Sequence, residues 1–130
     1  MKFKIEIKNR FTGKVLFEFE TEENTLKKTL VEACSKGADL QGAYLQGAHL
    51  QGLKIKKAQV FTGLYKYSAI PIIDENDKEW IVLGCYTRLV SDWEDNFWNN
   101  NSEFPNDGSI KAQLRVMAYE TCKKWLDINR

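Results

Sequence analysis

The chain has 130 residues, a net charge of +1, 43% hydrophobic and 12% aromatic content, which suits one folded domain with a core of its own. So even a charge balance excludes a strongly basic binder of DNA or RNA polymers and an acidic DNA mimic. No apolar run is long enough to span a bilayer, and the opening MKFKIEIKNR lacks the apolar stretch of a signal peptide. The three cysteines, Cys34, Cys85 and Cys122, show no C-x-x-C spacing and stand beside a single histidine, His49. Neither a zinc site nor a disulfide framework is expected, so the metal and cofactor expectation is none and a reducing cytosol is the default.

From Lys2 to Lys8, Phe3, Ile5 and Ile7 alternate with charged residues, which predicts a half-buried strand. NRFTG reads as a turn with Gly13 at positive φ, and Val15, Phe17 and Phe19 alternate along a second strand. TEENTLKKTLVEACSKG carries Leu26, Leu30, Ala33 and Cys34 at helical spacing, with Gly37 at the helix end. An internal repeat comes next, GADLQ GAYLQ GAHLQ, and its register runs on more weakly to Phe61. Its inward pairs are Ala38/Leu40, Ala43/Leu45, Ala48/Leu50, Leu53/Ile55 and Ala58/Val60.

From Leu64 the pattern is β again. LYKYSAIPII and EWIVLGCYTR flank DENDK, a polar hairpin turn, and Pro71 points to a free edge on the first of these strands. Cys85 reads as a small core residue within the second. Ser91 and Glu94 form an S-x-x-E capping box at a helix start. NNNSEFPNDG breaks that helix. A last helix runs from about Ser109 to Leu126, with Ile110, Leu114, Met117, Ala118, Cys122 and Trp125 on its buried face.

No P-loop, Gly-x-Ser-x-Gly or H-E-x-x-H motif is present, so no catalytic residue is named and an enzyme is not favoured. His49, at an outward repeat position, reads as a surface histidine, and the acids at 22–23 and 74–79 read as solvated. The stretch DWEDNFWNNNSEFPNDGS at 92–109 sets large rings in a polar surround. Trp93 and Phe97, four apart, share a helix face and suit the core, and Phe104 pins the loop. Trp98 falls off that face beside Asn99, Asn100 and Asn101. Those amides either end the helix or read base edges and ribose hydroxyls beside a stacking ring. Lys111, Arg115 and Tyr119 repeat at four-residue spacing opposite the predicted buried face. They form either a solvated stripe or, with Arg88, handles for a small phosphate ligand.

The repeat resembles the pentapeptide-repeat family, whose A-x-L-x-x units wind a square right-handed β-helix with small Ala and central Leu inward. Family members need about four units per coil, so this segment holds little more than one. One coil must lean on the rest of the domain or on another chain, because solenoids are stabilised by stacked neighbours. Taken whole, through KNRFTGKVLFE, GADLQGAYLQGAHLQG, FTGLYKY, LGCYTR, DWEDNFWNNNSEFPNDGS and KKWL, the chain resembles a family of small phage and prophage proteins.

More loosely it resembles the phage anti-Thoeris sponges. These are oligomeric, non-enzymatic proteins that sequester cyclic ADP-ribose signals, and some relatives bind cyclic oligonucleotides. That resemblance implies a β-rich N-terminal half, C-terminal helices, and aromatic, Asn and Arg side chains on a ligand shared between protomers. The positions that match in type are Trp98, Asn99, Asn100 and Arg115.

The expected fold class is α+β: an antiparallel sheet with an N-terminal hairpin, about one pentapeptide-repeat coil and C-terminal helices. The expected organisation is one domain over 1–130, with the hairpin at 2–20, the repeat at 37–61, and a β-hairpin plus two helices at 64–130. The expected function is a phage-encoded sponge for a cyclic nucleotide immune second messenger, acting as a homo-oligomer in the host cytoplasm. Its expected ligand contacts are Trp98, Asn99, Asn100, Arg115, Tyr119, Arg88 and Lys111. The alternatives are a pentapeptide-repeat interaction module that inhibits a host enzyme and, third, a small hydrolase of the same messenger.

Overall fold

The structure is a computed structural model. It describes the chain apart from residues 46–48, 51–52, 85, 98–99, 101–103 and 106, with the backbone alone at 49–50, 53 and 96–97. Strands β1 (Lys2–Asn9) and β2 (Val15–Glu22) form the expected antiparallel hairpin. Its turn is set by the Asn9 side chain, whose Oδ1 accepts from the Phe11 and Thr12 amides at 2.8 and 3.0 Å, and by Gly13 at φ +71°. The register slips between Ile7 and Lys8. That bulge leaves Leu16 unpaired and brings it, with Phe17, against the core.

Helix α1 (Leu26–Ser35) is capped by Thr25, whose hydroxyl accepts from the Lys28 amide. Asn24 fastens it to the hairpin. Its amide donates to the carbonyls of Phe19 at 2.7 Å and Phe3 at 3.1 Å, and its oxygen accepts from Thr29.

The repeat keeps its inward periodicity. Leu40, Ala43, Leu45, Ile55, Ala58 and Val60 are buried and Ala38 is packed against them; the sites at 48, 50 and 53 lie outside the residues whose side chains are described. In place of stacked rungs, the segment pairs with its surroundings. Strand β3 (Ala43–Tyr44) joins β1, β4 (His49–Leu50) joins β5 (Leu53–Ala58), and β5 joins β6 (Ala69–Asp74), all antiparallel. Arg10 of the first hairpin stitches the segment together, reaching the carbonyls of Ala43 and Ala58.

The five-stranded sheet β4-β5-β6-β7-β8 is completed by β7 (Glu79–Leu83) and β8 (Tyr86–Leu89). The run EWIVLGCYTR is therefore two strands. Gly84 at φ +61° ends the first, and Leu83 pairs with Tyr86 across the reversal. Cys85, expected in the core, lies outside the described residues.

Pro71 is not at a free edge. It lies in central β6, opposite Ile81 on one side and Gln59 on the other. The Gln59 amide still donates to the Pro71 carbonyl at 3.3 Å. Proline has no N–H to return, so one bond of the ladder is lost on the β5 side and β5 ends at Ala58. Pairing resumes at Phe61 and Ala69. Asp74, expected to be solvated, is buried at the end of β6. Its carboxylate accepts from the indole of Trp80 and the amides of Asn76 and Lys78.

Residues along β6 and β7 point alternately to two cores. Ile70, Ile72, Trp80 and Val82 face α1, the hairpin and the repeat. Ala69, Ile73, Ile81 and Leu83 face the C-terminal elements. The sheet is thus the middle of three layers, which is why β6 is buried along its whole length.

The segment after β8 departs most from expectation. The expected helix is one short turn, α2 (Val90–Asp92), followed by a π-helical turn, Trp93–Phe97. Leu89 stands at the cap position without a side-chain bond, so the Ser91–Glu94 capping box does not form. Glu94 is instead held by Lys123. That contact, with one from Tyr119, keeps its carboxyl below the usual range.

The final helix, α3 (Ile110–Asn129), is capped by Ser109, whose hydroxyl accepts from the Ala112 amide. It lies on β6 and β7. Among the described residues, no helix is long and apolar enough to cross a membrane.

Candidate functional site

The face of α3 turned to the sheet carries Ala112, Arg115, Ala118, Tyr119, Cys122 and Leu126. The predicted face is therefore corrected in part: Ala118, Cys122 and the partly buried Trp125 lie inward as expected, and the rest do not. Ile110, Leu114 and Met117 are 76%, 39% and 42% exposed. Arg115 and Tyr119, expected on an outward stripe, are 7% and 2% exposed. Ala112, Ala118 and Cys122 let the helix lie close to β6 and β7, a contact that rows of larger side chains would hold apart. Burial pushes the Cys122 thiol up to about 12, so it packs as a small apolar group.

Against this face stands a column of rings. Trp93 is fully buried as expected, and its indole N–H donates to the Ile81 carbonyl at 2.8 Å. Phe104 packs on Trp93 with ring centroids 5.5 Å apart and edge-on to Tyr86 at 5.2 Å. Tyr119 closes the other side of Trp93 at 6.4 Å. Two guanidinium groups lie on these rings. Arg88 sits 5.0 Å from the Tyr86 centroid and 4.9 Å from that of Trp93, and Arg115 sits 5.1 Å from that of Phe104.

Beside the column opens a cleft of about 400 Å³, lined by Tyr65, Tyr86, Phe104, Asp107, Lys111 and Arg115. Arg115 is its most telling residue. One Nη donates to the Phe104 carbonyl at 3.1 Å, and its Nε has no hydrogen-bond partner among the described residues. Burial pushes the guanidinium below its ordinary range, against smaller opposing effects of Tyr65 and Asp107. It remains charged, because arginine does not lose its proton in proteins. The Asp107 carboxylate is turned to Ser109, whose amide it accepts at 3.0 Å, and those bonds hold it below the usual range. Among the described residues no carboxylate pairs with Arg115. A buried, incompletely bonded cation facing a ring-lined cleft is costly unless an anion completes it.

The expected ligand contacts therefore divide. Arg115 and Lys111 come together in the cleft, Arg115 as floor and Lys111 at the exposed rim. Arg88 and Tyr119 belong to the wall behind it. Burial, then Glu94, raises the pKa of Tyr119, so its phenol stays neutral. The Asn100 backbone N–H donates to the same Phe104 carbonyl that Arg115 uses. Trp98 and Asn99 lie outside the described residues, and for Phe97 only the backbone is described. Sequence reasoning assigned no ligand role to Tyr65, Tyr67 or Tyr86. The signal for them was the mixture of rings and cations in YKY and YTR.

The fold and cleft together define a small α+β protein with a cationic, ring-lined pocket between a sheet and its covering helix. No family model, curated protein or solved structure matches the chain.

Proposed function

We propose that the protein is a non-enzymatic sponge that captures a cyclic nucleotide immune second messenger, either a cyclic ADP-ribose isomer or a cyclic oligonucleotide. By holding the messenger in the host cytoplasm, a phage-encoded protein of this kind blocks antiviral defence. The observation that carries the reading is Arg115, a buried cation whose Nε has no hydrogen-bond partner among the described residues, at the floor of a cleft walled by Tyr65, Tyr86 and Phe104. Phosphate supplies the missing acceptor and a base supplies the stacking partner. A cleft with few charges suits a discrete anion better than a polymer, which needs many phosphate contacts.

The test is retention of labelled cyclic ADP-ribose and cyclic di-AMP by the purified protein, followed by denaturation. Intact ligand in the released fraction is the expected result. Cleaved ligand would make the protein a hydrolase, and no retention of either would end the reading.

The exposed row on α3 favours the oligomer expected from the resemblance. Ile110, Leu114 and Met117 fall at spacings of four and three, with Ile128 further along the same side. An apolar row of this kind on a helix is the usual seam for a second helix. Sedimentation at micromolar concentration is expected to show a homo-oligomer, and the double substitution Leu114→Lys, Met117→Lys is expected to give a monomer. A monomeric wild-type protein would count against it.

A further inference from the structure

The cleft at Arg115 is not alone. A second cavity of about 360 Å³ opens on the α1 side of the sheet end. Its floor is formed by Leu30, Leu40, Ile70 and Val82, all buried, and its rim includes Asp39 and Thr62. Both cavities are lined by the same four residues, Tyr65, Lys66, Tyr67 and Gly84. The side chains of the shared wall pack on one another. Tyr65 and Tyr67 meet edge to face at 6.0 Å, and the Lys66 ammonium lies 5.3 Å from the Tyr67 centroid.

Gly84 brings the β7–β8 reversal close to these rings. A Cβ there would stand 3.3 Å from Tyr67 Cδ2 and 3.4 Å from the Tyr65 hydroxyl, on a backbone at φ +61° that disfavours any side chain.

We infer that the two cavities are the two lobes of one site and that its ligand is two-headed: two bases joined through phosphate. This rests on the reading of the Arg115 cleft as a nucleotide site and narrows it toward a cyclic dinucleotide, away from a messenger with one base. In the first lobe, one base stacks on the exposed Tyr86 ring, which Phe104 braces edge-on, and its phosphate meets Arg115. Lys66, exposed and common to both lobes, meets the phosphate that crosses the wall. The second base enters the apolar lobe, where the Asp39 carboxylate accepts from an amino group or a ribose hydroxyl. Each cavity alone lies near the lower end of the ~300–1,000 Å³ typical of small-molecule sites, and the pair falls well inside that range.

The experiment is calorimetric titration of the full chain with 3′,5′-cyclic AMP, which has one base, and 3′,3′-cyclic di-AMP, which has two. Joining two heads makes the second contact intramolecular, so cyclic di-AMP is expected to bind roughly a hundredfold tighter. Thr62→Trp fills the second lobe from its rim. It is expected to bring cyclic di-AMP down to the affinity of cyclic AMP and leave cyclic AMP unchanged. Asp39→Ala, a smaller change at an exposed residue, is expected to weaken cyclic di-AMP alone, by roughly tenfold for one charge-assisted bond. Equal affinity of the two probes for the wild type, or equal loss of both in either variant, overturns the two-lobed site. If cyclic AMP binds through Arg115 and cyclic di-AMP binds no tighter, only this inference falls. If neither probe binds, this inference falls, and the proposed function falls with it only if labelled cyclic ADP-ribose is not retained either.

Discussion

Replacing Trp93 by alanine is expected to lower the free energy of unfolding by about 3–5 kcal/mol, as other large-to-small core changes do. The ring is fully buried between Phe104, Tyr119 and the guanidinium of Arg88. Its removal opens a cavity among elements that cannot all close in, since Ile81 and Leu83 belong to a strand paired on both sides. It also deletes the indole bond to the Ile81 carbonyl. For a chain of this size about 4 °C of melting temperature accompanies each kcal/mol, so the midpoint should fall by about 12–20 °C. Urea denaturation measures the free energy directly.

The natural control is Leu114→Ala on the exposed side of α3, expected to cost under about 1 kcal/mol in the unassembled chain. The two costs would exchange order if α3 faced the sheet with the row that its large apolar residues suggest. A loss below about 1 kcal/mol for Trp93→Ala would show that the ring column does not hold the C-terminal layer.

Much of the architecture is legible in the sequence because its elements obey simple periods. The alternation of Phe3, Ile5 and Ile7, the turn at Gly13, the Leu26–Leu30–Ala33 spacing of α1 and the inward positions of the repeat each depend on neighbours close in the chain. The failures share a different cause. Pro71 suggests an edge because a proline costs one ladder bond; the fold accepts that loss in its central strand, where Gln59 still donates to the proline carbonyl. Gly84 looks like one residue of a long strand, yet it is the reversal that creates both lobes of the candidate site.

The face of α3 misleads for a similar reason. Leu114 and Met117 have the larger apolar side chains, but Ala112, Ala118 and Cys122 fit the sheet, and Arg115 travels inward with them. The spacing argument at Trp93 and Phe97 assumes α-helical turns, whereas the backbone there makes wider π-helical ones. The site therefore came through in part. Arg115 and Lys111 are found by charge, while Tyr65, Tyr86 and the role of Phe104 need the topology that brings β8, α3, Phe104 and Asp107 together.

The burial of Arg115 changes what its substitution should do. An outward arginine would be replaced at no cost to folding and with a modest loss of ligand. Here Arg115→Met removes the bond to the Phe104 carbonyl, and with it a tie on the segment that also holds the Asn100 backbone N–H. It also removes a desolvated cation that no carboxylate pairs directly among the described residues and that feels only a weaker pull from Asp107. These effects oppose each other, and exchanging buried charge for an apolar chain of similar length is often neutral or stabilising. The ligand-free protein is therefore expected to keep its stability within about 1 kcal/mol.

Binding should respond far more strongly. Removing one side of a buried, hydrogen-bonded charge pair costs about 2–5 kcal/mol, roughly thirty- to several-thousandfold in affinity. Lys111→Met, at the solvated rim, should cost only a few-fold and mainly at low salt, since exposed charges are screened. Arg115→Lys keeps the charge but loses the planar fork, and should fall between wild type and Arg115→Met. Titration of cyclic di-AMP against the three variants, with urea unfolding of each, separates the terms. If Arg115→Met unfolds, Arg115→Lys still reports on the fork. Wild-type affinity in whichever of these two folds would mean that the buried guanidinium serves the loop alone and that the anion site lies elsewhere.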